Sequence, residues 1–82
     1  MLPHVIIADG HSMIRKGIKL VLMTQLGCKN VYEVSSCNEL LNELKKKTCT
    51  HLLLDVIFSD GTALEVVPVI RELYPDVKIL IF

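Results

Sequence analysis

Two aspartates carry most of the chemistry in this sequence. Asp9 closes the apolar run Val5-Ile6-Ile7-Ala8, and Asp55, 46 residues later, closes Leu52-Leu53-Leu54. A carboxylate in such a position offers a nucleophilic oxygen or a hard ligand for a divalent cation. Other chemistries have less to work with. The three cysteines, Cys28, Cys37 and Cys49, stand nine and twelve residues apart with no C-x-x-C. That spacing makes neither a zinc site nor a disulfide framework, and it reads as small apolar side chains in a reducing compartment. No G-x-G-x-x-G or Walker sequence follows an apolar run, so a nucleotide cradle is not expected. His11, two residues after Asp9, reads as a helix-start residue rather than a ligand.

The elements that must position the two acids alternate along the chain. Val5 to Ala8 is continuous, β-branched and bounded by Pro3 and Asp9-Gly10, as suits a strand buried on both faces. From Ser12 to about Met23, Ile14, Ile18, Val21 and Leu22 recur at helical spacing, with Arg15, Lys16 and Lys19 on the opposite face and Gly27 as a stop signal. Val31 to Val34 is a second strand. Ser36-Cys37-Asn38-Glu39 has capping-box form and opens a helix whose Leu40, Leu41 and Leu44 face a core, ending at Lys45-Lys46-Lys47. His51 to Asp55 is a third strand, and Ser59-Asp60-Gly61 a loop. A second capping box, Thr62 to Glu65, starts a helix reaching about Tyr74, with Pro68 expected to cost a hydrogen bond or kink it. After Pro75-Asp76, residues 77–82 form a fourth strand.

The order β-α-β-α-β-α-β with apolar strands predicts an α/β fold, a doubly wound parallel sheet with helices on both faces. Ligand sites in such sheets lie at the carboxyl ends of the strands, where Asp9 and Asp55 both stand.

Composition narrows the function class. The chain has 82 residues, enough for a single domain, and 51% are hydrophobic. Nine Lys plus Arg balance nine Asp plus Glu, giving a formal net charge of zero. A neutral chain lacks the basic face needed for nucleic acid and has nothing for an acidic lipid surface. Neither a leader peptide nor a membrane span is expected at Met1-Leu2-Pro3-His4 or beyond, which points to the cytoplasm.

Two segments are familiar together. Val5-Ile6-Ile7-Ala8-Asp9-Gly10-His11-Ser12-Met13-Ile14-Arg15-Lys16-Gly17 resembles the opening of a response-regulator receiver domain of two-component signalling. It is closest to the subfamily whose receivers precede a helix-turn-helix output domain. Leu53-Leu54-Asp55-Val56-Ile57-Phe58-Ser59-Asp60-Gly61-Thr62-Ala63-Leu64-Glu65 resembles the phosphoacceptor stretch without a gap, and Arg71 to Ile79 resembles the run into the family's fourth strand. The resemblance implies a flavodoxin-like receiver fold with strand order 2-1-3-4 over residues 1–82. It also implies a partial domain that lacks the last strand and two helices, since the chain stops one position before the family's hydroxyl residue.

By the same resemblance, Asp55 takes a phosphoryl group from a sensor histidine kinase. Mg²⁺ would be held by Asp9, Asp55 and the backbone carbonyl of Ile57. The domain would then be a phosphoacceptor rather than a turnover enzyme. It would control transcription, reaching DNA only through an output domain outside this chain. Gly10 stands where the family has a second, metal-contacting acid, so weaker Mg²⁺ binding is expected. A pseudo-receiver that acts by protein interaction is the alternative. Ser59 replaces the usual Pro and Ala63 the usual Gly, changes expected to alter loop stiffness. An aspartate-nucleophile phosphatase or phosphotransferase normally has a second Asp two residues on, and position 57 is Ile. A fourth strand left at the sheet edge implies a homodimer or a strand-exchanged dimer.

Overall fold

Apolar runs without alternation need cover on both sides, and the sheet supplies it. In the computed structural model, which describes residues 3–82, β1 (His4–Ala8), β2 (Asn30–Val34), β3 (His51–Leu54) and β6 (Lys78–Ile81) form one parallel sheet in the order β2-β1-β3-β6. Two short strands, β4 (Ile57–Phe58) and β5 (Gly61–Thr62), pair antiparallel outside it. With that hairpin set aside, the order is the expected 2-1-3-4. The helices are α1 (Ser12–Gln25), α2 (Cys37–Lys46) and α3 (Ala63–Leu73). Met1 and Leu2, part of the stretch read as neither leader nor anchor, lie outside the described residues.

Successive side chains of a strand point to opposite faces. Ile6, Ala8, Leu52 and Leu54 therefore join Leu40 and Leu44 of α2 and Val66 and Ile70 of α3 in the larger core. Val5, Ile7 and Val31 pack on the other face with Ile18 and Leu22 of α1. Ile6, Ile7, Ala8, Leu52 and Leu54 are wholly buried, so both faces of the central strands are covered.

Three local expectations need correcting. The apolar stripe of α1 is not a buried face: no residue of α1 is buried, and Ile14 and Val21 are 45% and 52% exposed. One helix lies on this face, over β1 and β2, so the flanks of its stripe have nothing to press against. Arg15 and Lys19 do not point away from the sheet. Glu33 of β2 draws in Arg15 at 3.1 Å, with Lys16 at 3.7 Å and Lys19 at 3.9 Å. Of the segment read as a loop at residues 59–61, Ser59 and Asp60 form the turn of the β4–β5 hairpin and Gly61 already belongs to β5, with Ile57 opposite Thr62 and Phe58 opposite Gly61.

The helix starts follow the sequence, with one shift. Ser36 caps α2, its Oγ accepting from the Glu39 N–H at 3.1 Å, but the Glu39 carboxylate reaches back to the Ser35 N–H rather than to Ser36. At α3, Glu65 Oε1 accepts from the Thr62 N–H at 3.1 Å. Pro68 is exposed and α3 runs through it unbroken. Ala63, the first residue after the capping Thr62 as expected, is buried in the first turn of that helix.

Candidate functional site

Strand register brings the two acids together. Ala8 lies opposite Leu54 in the β1–β3 pairing, so Asp9 and Asp55 each leave the sheet one residue past the same rung. The ladder extends into both: the Asp55 N–H donates to the Ala8 carbonyl at 2.9 Å, and the Asp9 N–H to the Val34 carbonyl at 3.1 Å.

Asp9 is 1% exposed, and a carboxylate is rarely that buried without partners. Its Oδ1 accepts from the His11 N–H at 2.8 Å, an Asx-turn that starts α1, and lies 2.9 Å from His11 Nδ1. No hydrogen bond among the described residues falls on its Oδ2. Arg15 Nη1 donates to the Asp9 carbonyl at 2.6 Å while its Nε holds Glu33. One guanidinium thus ties the first acid, α1 and β2 into a single unit. Asp55 is half-buried, with Oδ1 accepting from the Val56 N–H at 2.7 Å.

One donor atom each from Asp9, His11 and Asp55 fits within a 4.8 Å span. His11, read from the sequence as a helix-start residue, does occupy the N-cap of α1, but its ring makes no cap bond and turns to Asp9 instead. The spacing of two residues from Asp9 was the only available signal for this, and it is shared with ordinary turn chemistry.

Gly10 and His11 line a shallow cleft of about 500 Å³ with Ser35, Ile57, Phe58 and Ser59. Ile57 thus lies beside Gly10, with its side chain 68% exposed. A Cβ placed on Gly10 would meet only the Ser35 carbonyl oxygen, at 4.0 Å, so the site has room for a side chain there.

The loop after Asp55 is fastened from beneath and from its tip. Phe58 is buried in the larger core, the Ala63 N–H donates to the Val56 carbonyl at 2.8 Å, and Asp60 crosses to α2. Asp60 Oδ1 accepts from the Cys37 N–H at 2.9 Å and Oδ2 from the Asn38 N–H at 3.0 Å. These two backbone bonds hold the Asp60 carboxyl below the usual carboxylate range. The same neighbourhood, chiefly burial and then the Asp60 charge, pushes the Cys37 thiol up. Burial likewise raises Cys49. These are the opposite of a reactive thiol's surroundings.

The donor set suits a divalent cation: two carboxylates, one of them buried with an oxygen to spare, and an imidazole. Among the described residues no helix is long and apolar enough to cross a membrane.

Comparison with known proteins agrees with this geometry. The non-phosphorylated receiver domain of the stress response regulator RcsB from Escherichia coli is 27% identical with a TM-score of 0.90, covering 100% of this chain and 65% of that one. RcsB from Salmonella enterica serovar Typhimurium, bound to promoter rprA with a phosphomimetic BeF₃⁻, is 27% identical with a TM-score of 0.89, covering 99% of this chain and 47% of that one. The MaeR response regulator bound to beryllium trifluoride is 15% identical with a TM-score of 0.92, covering 99% and 66%, and shows the fold alone. The chain therefore spans less than two thirds of each of these. No curated protein sequence matches it. The model of the response regulator receiver domain family matches residues 5–82. With 78 of 82 residues inside that match, the chain belongs to the response regulator receiver domain family.

Proposed function

We propose that this receiver accepts a phosphoryl group on Asp55 from a sensor histidine kinase and passes the signal to a transcriptional output. The observation that carries the reading is the shared rung Ala8–Leu54, which sets a buried carboxylate beside a half-buried one at the carboxyl end of the sheet. The more accessible of the two is the nucleophile. Its Oδ1 is occupied by the Val56 N–H, so Oδ2 attacks phosphorus and the phosphohistidine imidazole leaves. Asp9 sits buried behind Gly10 and His11, oriented by the His11 N–H and anchored through its carbonyl by Arg15. A bound Mg²⁺ would neutralise the anions brought together there, with Asp9, Asp55 and the Ile57 carbonyl as its ligands. The domain is stoichiometrically modified and does not turn over substrate. RcsB, at 27% identity, is described in complex with promoter DNA, and this chain would reach DNA only through an output domain of its own protein.

Incubation with phosphoramidate or acetyl phosphate and Mg²⁺, read by intact mass, should add one phosphoryl group. Asp55→Asn should abolish the addition, and label that survives in the variant would sink the assignment. The pseudo-receiver reading rests on Gly10, which leaves the cleft one carboxylate short. Its signature is an unmodified mass in the wild-type chain under the same conditions.

A further inference from the structure

Gly10 and His11 adjoin in sequence, and in space one makes an opening that the other can fill. Position 10 carries no side chain, and nothing within 4 Å would prevent one except the carbonyl of Ser35 at that limit. The imidazole of His11 is 71% exposed, has no partner other than Asp9 among the described residues, and holds Nδ1 at 2.9 Å from Asp9 Oδ1. Two ligands at right angles on an ion about 2.1 Å away stand about 3 Å apart. The observed 2.9 Å is a hydrogen bond, and it holds the two donor atoms close enough that a small rotation of the ring brings both to one ion. Asp55 completes a set within 4.8 Å, and among the described residues this is the one group of three potential metal-binding side chains so close together.

Ligand type then decides the ion. Mg²⁺ takes oxygen donors and parts reluctantly with its waters, whereas imidazole suits Zn²⁺ and its neighbours among the first-row divalent ions. Three protein ligands drawn from His and carboxylate, with further positions open, are also what zinc accepts at reactive centres.

We propose that His11 serves as the third side-chain donor, where Gly10 offers none, and that the site prefers a zinc-like, imidazole-accepting divalent ion to Mg²⁺. The proposal rests on the reading of Asp9 and Asp55 as a cation site. A metal takes imidazole through a nitrogen lone pair, so the Nδ1–Asp9 hydrogen bond gives way when the ion binds. His11 makes no side-chain cap bond at the start of α1, so removing its ring does not remove a helix cap.

Calorimetric titration of the 82-residue chain with ZnCl₂ and with MgCl₂ tests this. The wild type should bind one Zn²⁺ at least about tenfold more tightly than Mg²⁺. His11→Ala should lose about tenfold or more of the Zn²⁺ affinity with little change for Mg²⁺. His11→Asp should move the preference back toward Mg²⁺. A second reading, the ring-proton shift of His11 by NMR, should follow Zn²⁺ saturation. If Asp55→Asn weakens both ions while His11→Ala leaves their ratio unchanged, the role of His11 is overturned and the cation site stands. If Asp55→Asn weakens neither ion, the site reading fails and this inference goes with it.

Discussion

Asp60 accepts the Cys37 N–H at 2.9 Å, fastening the loop that follows the candidate phosphoacceptor to the first turn of a helix 23 residues earlier in the chain. With its second oxygen on the Asn38 N–H, one carboxylate satisfies two donors that an α-helix leaves without internal partners. The tip of the loop that follows Asp55 thus cannot move without loosening the start of α2.

The first prediction follows from that contact. Asp60→Asn keeps one acceptor and loses the charge, so Tm at neutral pH should fall. Asp60 has its folded-state titration shifted down, so its contribution is present above the ordinary carboxylate range and is lost as pH falls through the folded value. The gap in Tm between wild type and variant should be constant from pH 7 to about 5 and close in more acidic solution. A gap that widens on acidification would contradict the assignment.

Placing an acid at position 10 should change the metal and the rate together. Gly10 is exposed, its φ is negative, and its Cβ position is open apart from the Ser35 carbonyl at 4.0 Å. Gly10→Asp should therefore fold normally, bind Mg²⁺ more tightly, and take phosphoryl from acetyl phosphate faster at limiting Mg²⁺. Superimposable Mg²⁺ titrations for the two proteins would show that Gly10 is not the missing ligand.

Two glycines in and after α1 should respond to the same substitution with opposite sign. Gly27 has φ of 69°, the left-handed region, and turns the chain so that the Cys28 N–H meets the Leu22 carbonyl at 3.0 Å. Gly27→Ala should cost about 1 kcal/mol from backbone strain alone, because nothing lies within 4 Å of the added methyl. Gly17 sits mid-helix, exposed and equally uncrowded, so Gly17→Ala should stabilise by about 0.5–1 kcal/mol. Urea denaturation of the two variants should show their midpoints moving apart from the wild type.

What the sequence made legible was whatever depends on near neighbours. Val5 to Ala8 needs cover on both sides, Asp9 and Asp55 end apolar runs, and Ser36 with Glu39 starts a helix; each of these is visible within a few residues. The contacts that assemble the site are long-range. Arg15 reads as one more cation on a polar helix face until β2 places Glu33 beneath it and β1 presents the Asp9 carbonyl. Asp60 reads as a turn residue until α2 is packed beside the hairpin. The apolar stripe of α1 misled for the converse reason: periodicity shows which residues share a face, and only the packed sheet shows how much of that face is covered.

The last prediction concerns the sheet edge. β6 pairs with β3 on one side only, through Lys78 opposite His51 to Ile81 opposite Leu54. Its Leu80, Ile81 and the following Phe82 are 61%, 47% and 42% exposed. Natural edge strands are blunted by charge, proline, bulges or brevity, and β6 has one lysine at its start and neither proline nor charge thereafter. Residues 1–82 produced by themselves should therefore associate through β6, as a paired or strand-exchanged dimer or a larger species. Light scattering after size exclusion reads the mass directly. Leu80→Lys places a charge mid-strand at a position already facing solvent, and it should shift the population toward monomer without loss of helical circular dichroism. A wild-type chain that stays monomeric at high concentration, with sharp cooperative unfolding, would show that the edge is adequately protected as it stands.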